Sequence, residues 1–424
     1  MKTISRREFV RNAIYSVGGF LSLVQIGSLV GCASRCPKTI SAHNRKNRTN
    51  RVLADLHVHP SLEAWIRRFP LAVALTEQFP GIDKQLFQGL NPSGVTWETS
   101  HQAGVDMMCI AHFNALDEFI TMPTDPNPDA PRNTIRMMEI LERELKGEQC
   151  QYAQLARNCQ DLEKLTSVDK DKDWKNFRIA AVHTLEGGHA LGGSVEPLEE
   201  FAKRGVAMIT ITHFFNKVIA TSANSIPYFP DNQGLRAKKG LSEFGLEVIE
   251  KMEELGIIVD VSHGTSTTVE DVLMHAKKPI ISSHSSVRTL GDHPKSLYDE
   301  HIQQISKDCG IIGVILMPYW LSNYSDPTIS SEKGSLDDVV RTIRYIYKIC
   351  GNNHKSIGIG TDFAGFITPP RDLKCHGNIE FLRDKLCQEF EDVNIVEDIM
   401  ANNVINFFIK NWKSGLPEKK KSEI

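Results

Sequence analysis

The chain has 424 residues, 41% of them hydrophobic and 24% charged, with a formal net charge of −3. That composition is globular and apolar enough for a sizeable core, which excludes a disordered or fibrous protein. The near-neutral charge gives no ground for expecting nucleic acid as a partner, and nine cysteines spread over this length exclude a disulfide scaffold.

The N-terminus reads as an address rather than as fold. Ser5-Arg6-Arg7-Glu8-Phe9-Val10 resembles a twin-arginine export signal, and an apolar stretch softened by Gly and Ser follows up to Val30. Leu29-Val30-Gly31-Cys32 then resembles a bacterial lipobox, in which the cysteine is acylated and becomes the new N-terminus. The plainer alternative is a membrane-anchoring helix with an incidental cysteine. Ala33 carries no retention acid, so a lipid anchor in the outer membrane, facing the periplasm, is expected in a cell with two membranes. Residues 33–50 read as a flexible tether and 413–424 as a disordered basic tail. Without Cys32 eight cysteines remain to pair in an oxidising compartment, with connectivity open, and no Cys-x-x-Cys suggests a thiolate metal site.

Between residues 51 and 412 eight short apolar, β-branched runs alternate with helical patterns. They are Val52–Leu56, Val105–Ala111, Ile179–Thr184, Ala207–Thr212, Ile257–Val261, Pro279–Ser282, Ile311–Met317 and Ile357–Thr361. Runs of this kind suit strands buried on both faces of a parallel sheet. Glu243–Leu255 and Leu336–Ile349 are amphipathic and read as connecting helices. Eight such units predict a TIM-like (β/α)8 barrel with insertions at 60–100 and 120–175. An open doubly wound sheet is the alternative, but no glycine-rich phosphate loop follows the first strand.

The residues that end these strands are unusually polar. They include His57 and His59, Glu186, His213, His263, His284 and Asp362. The C-terminal mouth of a barrel is where active sites lie, so this set is expected on one rim. His57 and His59 are two apart and point the same way on a strand, within reach of one cation. Imidazole together with carboxylate suits zinc or a similar divalent ion, and a glutamate is able to bridge two. Taken singly, each has a bland reading: a rim histidine satisfied by a hydrogen bond, a Gly-Gly turn after Glu186, Asp362 as a helix cap. Their coincidence at six strand ends points to a metal site, because such a set left unpaired is costly to bury. His112 and His183 also lie near strand ends and read as structural, and His189, after a Gly-Gly turn, reads as facing water.

These residues carry a resemblance to the membrane (renal) dipeptidase family, peptidase family M19, within the amidohydrolase barrels. It spans about Val52 to Trp412, and its most specific stretch is Pro279–Ile302, PIISSHSSVRTLGDHPKSLYDEHI. Leu185-Glu186-Gly187-Gly188, Ile211-Thr212-His213 with Asn216, Val259-Asp260-Val261-Ser262-His263 and Ile357–Phe363 support it. The resemblance implies a zinc-dependent hydrolase of dipeptides, with D-residues at the C-terminus among its substrates, and suggests a homodimer. It implies that His57 and His59 hold a first metal, Glu186 bridges to a second, and His263 and His284 hold that second ion. A hydroxide shared by the two metals would then attack the peptide carbonyl. By the same resemblance His213 contacts substrate and stabilises the oxyanion, Lys295 anchors the C-terminal carboxylate, and Asp362 handles the proton of the attacking water.

Three positions depart from the family pattern. His59 stands where the family has Asp, Lys295 where it has the carboxylate-clamping Arg, and Ala364 interrupts its Asp-Phe-Asp-Gly. Lys keeps the charge of Arg but loses the bidentate fork. Arg288 lies close in sequence to the clamp position, but the family gives that role to another residue. Two other functions stay open: an amidohydrolase acting on a non-dipeptide amide, an N-acyl amino acid or a lactone, and a surface lipoprotein that binds without turnover.

Overall fold

The computed structural model describes residues 51–60, 95–114, 117–118, 126–214, 218–223, 240–322, 334–365 and 367–415. The export signal, Cys32, the tether and Asn216 lie outside the described residues. Nine parallel strands run in chain order: β1 Ala54–Val58, β2 Met107–His112, β3 Ala153–Ala156, β4 Ile179–Glu186, β5 Met208–Thr210, β6 Ile258–Asp260, β7 Ile281–Ser285, β8 Ile311–Ile315 and β9 Ile357–Gly360. The sheet order is β2-β1-β9-β8-β7-β6-β5-β4, and pairing of β2 with β4 from Met107↔Ala180 to His112↔Leu185 closes it. The eight strands of this barrel are the eight expected ones. The ninth, β3, was not foreseen. It pairs only with the first half of β4, from Ala153↔Ile179 to Ala156↔Val182, and four residues are too few to show alternation.

The strands are short because a barrel interior holds only a few layers of side chains. Ala54, Leu56, Met107, Cys109, Ala180, Val182, Met208, Ile258 and Ile281 form the inner core, together with Val404, Ile405 and Phe408 of the C-terminal helix Asn403–Asn411. That helix closes the end where the strands begin, which leaves the opposite mouth for polar residues. Lys413–Gly415 are not part of a loose tail. Lys413 N–H donates to Gly256 O at 2.9 Å, Ser414 Oγ donates to Val206 O at 2.6 Å, and Ser414 is buried.

The helix Glu243–Leu255 begins on Ser242, whose Oγ accepts from Gly245 N–H, and ends on Gly256 in the left-handed region, φ 71°. Leu336–Ile349 begins likewise on Ser335. β7 carries an irregularity between Ser282 and Ser285, which presses the Ser283 carbonyl against Gly313 and Gly360. A Cβ at either glycine would meet that oxygen, so the bulge requires both. Among the described cysteines, Cys109, Cys150, Cys159, Cys309 and Cys350 are free, and Cys375 is disulfide-bonded. Among the described residues no helix is long and apolar enough to cross a membrane.

Candidate metal centre

The predicted rim residues converge. Glu186, the last residue of β4, sits between two pairs of imidazoles. Its Oε1 lies 3.3 Å from His57 Nε2, 3.2 Å from His263 Nε2 and 3.5 Å from His284 Nε2, and its Oε2 lies 3.5 Å from His59 Nε2. Within the pairs the Nε2 atoms are 3.0 Å apart for His57 and His59, and 2.7 Å for His263 and His284. All five side chains are buried. Lone-pair nitrogens aimed at one another around a buried carboxylate make poor hydrogen-bond partners, and they suit two positive ions. His57–His59–Glu186 and Glu186–His213–His263 each bring three ligand atoms within 4.8 Å of one another. The donor chemistry therefore fits two divalent cations, with Glu186 in the position to touch both.

The surrounding bonds assign the ring protons. Ser283 Oγ–H donates to Asp260 Oδ2 at 2.6 Å and so accepts from His284 Nδ1–H at 2.8 Å, which leaves the His284 Nε2 lone pair free for a metal. Asp260, on β6, also accepts from Ser262 N, Ser262 Oγ, Ser283 N and Thr210 Oγ1 at 2.6–3.0 Å. Asp55 plays the matching part under β1. It takes Thr361 N–H at 2.9 Å, Thr361 Oγ–H at 2.6 Å and His57 N–H at 3.2 Å, with His376 Nε2 at 2.9 Å. Two fully buried carboxylates thus hold the backbone that carries the ligands.

Electrostatics favour positive charge at the mouth. Burial, the strongest influence on His57, pulls its pKa down, yet the carboxylates of Glu186, Asp362 and Asp260 lift it to about 9. Burial pushes the Glu186 carboxyl up, but His213 and His57 outweigh it and hold the group well below the usual range. His263 and His284 are driven well below ordinary values by burial and by neighbouring cationic groups.

Asp362 reaches the first pair, with Oδ1 3.1 Å from His59 Nε2. His263 (φ 65°) and Asp362 (φ 56°) both adopt the left-handed region, which costs about 1–3 kcal/mol each for such residues and is typical of functional sites. His213 brings Nε2 to 3.4 Å from Glu186. Lys295 is buried with Nζ 3.5 Å from His263 Nε2, between the rings of Trp320 at 4.5 Å and Phe214 at 5.1 Å. Burial lowers its pKa to about 8, against the pull of Glu186, Asp362 and Glu118.

Arg288 is turned away onto Asp292 and the His293 carbonyl. His112 and His183 bond each other at 2.8 Å, and His183 faces Glu142 at 3.5 Å. His189, read as facing water, is instead buried in the turn Gly188–Leu191, edge-on to Phe113. Sequence reasoning missed Glu118, Asp55, Asp260, Ser283 and His376. Asp55 and Asp260 had a signal, an acid inside an otherwise apolar strand just before a ligand, whereas Glu118 and His376 had none.

The family model for membrane dipeptidase, peptidase family M19, matches residues 109–416. An uncharacterized dipeptidase of Schizosaccharomyces pombe is 31% identical over 252 residues, 58% of this chain and 57% of its own length. The chain thus spans little more than half the length of such curated relatives. A probable dipeptidase from Pseudomonas aeruginosa has a similar structure, with TM-score 0.64 and 21% identity over 76% of this chain and 90% of that one. A metallopeptidase from Rhodobacter sphaeroides, liganded with a phosphinate mimic of the dipeptide L-Ala-D-Ala, gives TM-score 0.66 and 16% identity over 85% and 99%. Likeness at those identities concerns the fold alone, a (β/α)8 barrel. The match over most of the sequence settles the family: this chain belongs to the membrane dipeptidases, peptidase family M19.

Proposed function

We propose that this protein is a zinc-dependent dipeptidase that hydrolyses the peptide bond of dipeptides, including those ending in a D-residue. The observation that carries the reading is Glu186 between two imidazole pairs, with a buried ammonium beside them. Among the described residues no carboxylate comes within ion-pair distance of Lys295 Nζ, so a buried cation is left to be met by an anionic ligand. A dipeptide brings its carboxylate within a few bonds of the scissile carbonyl. The metallopeptidase liganded with a dipeptide mimic supports the same substrate class.

His57 and His59 would hold one ion, His263 and His284 the other, with Glu186 between them. An all-imidazole and carboxylate set without thiolate suits zinc. Two such ions would supply Lewis acidity at the carbonyl and would lower the pKa of the attacking water toward ~7. Asp362 Oδ1 is the proton carrier, taking the proton of the attacking water and returning it to the departing amine. As an imidazolium, with Nδ1–H on Glu118, His213 donates Nε2–H to the carbonyl oxygen as that atom becomes negative. Lys295 binds the C-terminal carboxylate.

The test is metal content together with turnover of a dipeptide panel, N-acyl amino acids and lactones. Zinc-loaded protein is expected to cleave dipeptides, and Glu186→Gln to abolish both the cleavage and the second equivalent of metal. Unchanged hydrolysis in that variant defeats the proposal. Preferential cleavage of N-acyl amino acids would favour a second reading, an amidohydrolase on non-dipeptide amides, which His59 and Lys295 support by departing from the family pattern. We further propose export through the twin-arginine signal and lipid anchoring at Cys32, on the outer membrane facing the periplasm. Metabolic labelling with palmitate, lost in Cys32→Ala, tests the anchor. A homodimer is expected by analogy with the family, and sedimentation tests it.

A further inference from the structure

One buried carboxylate beside the centre has no part in that chemistry. Glu118 lies on the stretch that leaves β2 and is 1% exposed. Its Oε2 accepts from His213 Nδ1–H at 2.6 Å, and its Oε1 accepts from Phe214 N–H at 3.0 Å. We propose that Glu118 is the positioning residue of this active site: it locks the His213 imidazole with Nε2 turned to Glu186, the orientation in which that nitrogen meets the scissile carbonyl.

Glu186 lies farther from the ring, 3.4 Å from Nε2, and the aromatic neighbours do not select its orientation. Phe113 packs against it edge-on and Phe214 tilted, at centroid distances of 4.3 and 3.8 Å. Such contacts confine an imidazole and are indifferent to which edge carries nitrogen. Ser222 Oγ donates to the main-chain oxygen of His213 and fixes the backbone, not the ring. A half-turn about the last side-chain torsion would put carbon where Nε2 now lies. The carboxylate at Nδ1 distinguishes the two states, since a flipped ring would offer it C–H.

Glu118 is itself held. Its neighbour Asp117 accepts from Asn114 Nδ2, from Asn127 Nδ2 at 2.7 Å and from Asn133 Nδ2 at 3.0 Å. Asn133 belongs to the helix Ala130–Lys146, so the helical turn carrying Glu118 is tied to a second, longer helix. The same carboxylate binds ring and backbone of consecutive residues, His213 and Phe214, and so also fixes one wall of the Lys295 cage.

The catalytic consequence rests on the dipeptidase reading; the geometry does not. The test uses zinc-loaded full-length protein, with L-Ala-D-Ala as substrate. Glu118→Gln keeps an acceptor for Phe214 N–H but turns an amide donor on His213. We expect kcat to fall about 10–100-fold, the usual effect of removing an orienting partner. KM should stay within about threefold, because substrate binding is not the step disturbed. Glu118→Asp should recover part of kcat, with metal content unchanged in both.

Proton NMR gives a readout that needs no activity. A short imidazole–carboxylate bond carries a strongly deshielded N–H proton. It should be present in the wild type, lost in Glu118→Gln and in His213→Gln, and retained in Glu118→Asp. Wild-type kcat in Glu118→Gln, or survival of that resonance, overturns the proposal. If the wild type cleaves no dipeptide, the dipeptidase reading falls, while the resonance still decides the role of Glu118. If Glu118→Gln does not fold, comparing the wild type with His213→Gln decides it, and a spectrum unchanged by the latter refutes the bond.

Discussion

Replacing Asp260 by Asn should weaken the second metal position without touching a ligand. Asp260 takes three bonds at Oδ1, two of them from Ser262 N–H and Ser283 N–H, and two at Oδ2, from Thr210 Oγ and Ser283 Oγ at 2.6 Å. Backbone donors cannot turn, so the Asn carbonyl must keep the Oδ1 place and its amide must take the Oδ2 place. Ser283 Oγ then accepts there, and its proton swings to His284 Nδ1, 2.8 Å away. His284 is left with its own proton on Nε2, in place of the lone pair that would bind the metal. Loss of an orienting partner of this kind costs about 10–100-fold in metal affinity, or roughly 1.4–2.7 kcal/mol. Two charge-assisted bonds worth about 1.5–3 kcal/mol each give way to neutral ones worth about 0.5–1.5, so folding stability drops by roughly 2–3 kcal/mol. Calorimetric zinc titration of the apo-protein should show one site weakened and the other unchanged, and the apo melting temperature should fall by a few degrees. Two sites of wild-type affinity at an unchanged melting temperature would refute the tautomer assignment.

Lys295→Met removes the ammonium beside His263 and should raise KM for dipeptides about 10–100-fold, as a charge-assisted bond of about 1.5–3 kcal/mol is lost. Dipeptide amides, which lack the carboxylate, should be little affected, and steady-state kinetics on matched pairs checks the contrast. His112 and His183 are held below the ordinary imidazole range chiefly by burial, so folding favours their neutral forms. For groups depressed in the folded state, that stability is present above ~6.5 and is lost as pH falls below it, by about 1.4 kcal/mol per pH unit for each histidine. Denaturant unfolding at pH 7, 6 and 5 should show this loss, and His112→Phe with His183→Leu should flatten it. Gly313→Ala forces a Cβ against the Ser283 carbonyl and should cost about 1–3 kcal/mol of stability, read as a lower melting temperature.

The barrel was legible because each of its eight strands is a short apolar run buried on both faces, and such runs interrupt helical periodicity visibly. β3 escaped because Ala153–Ala156 has two small residues and no alternation. The ligands were legible for a related reason: His57, Glu186, His263, His284 and Asp362 stand at the points where apolar runs become polar. The groups that orient them obey no such rule. Ser283 resembles any serine among Ser282, Ser285 and Ser286 until the bulge in β7 turns it to Asp260. Glu118 lies 95 residues from His213 along the chain and meets it only because barrel closure joins β2 to β4, beside β5. Contacts of that range leave no local periodicity to read.

The two departures that cloud the substrate make sense together in three dimensions. His59 Nε2 lies 3.1 Å from Asp362 Oδ1 and 3.5 Å from Glu186 Oε2. An aspartate at position 59 would bring a third carboxylate to those two, whereas an imidazole adds no negative charge there. The exchange removes a negative charge from the mouth, which strengthens its pull on an anionic substrate group. Lys295 lacks the planar fork of an arginine, but its ammonium rests against the rings of Trp320 at 4.5 Å and Phe214 at 5.1 Å, which restrict its freedom. A chain drifting toward a non-catalytic binder has no need to keep Glu186 between two buried imidazole pairs, to hold His263 and Asp362 in left-handed conformations, or to cage a cation beside them. The exchanges at positions 59 and 295 leave that arrangement in place, with less negative charge at the mouth and an ammonium held against two aromatic rings.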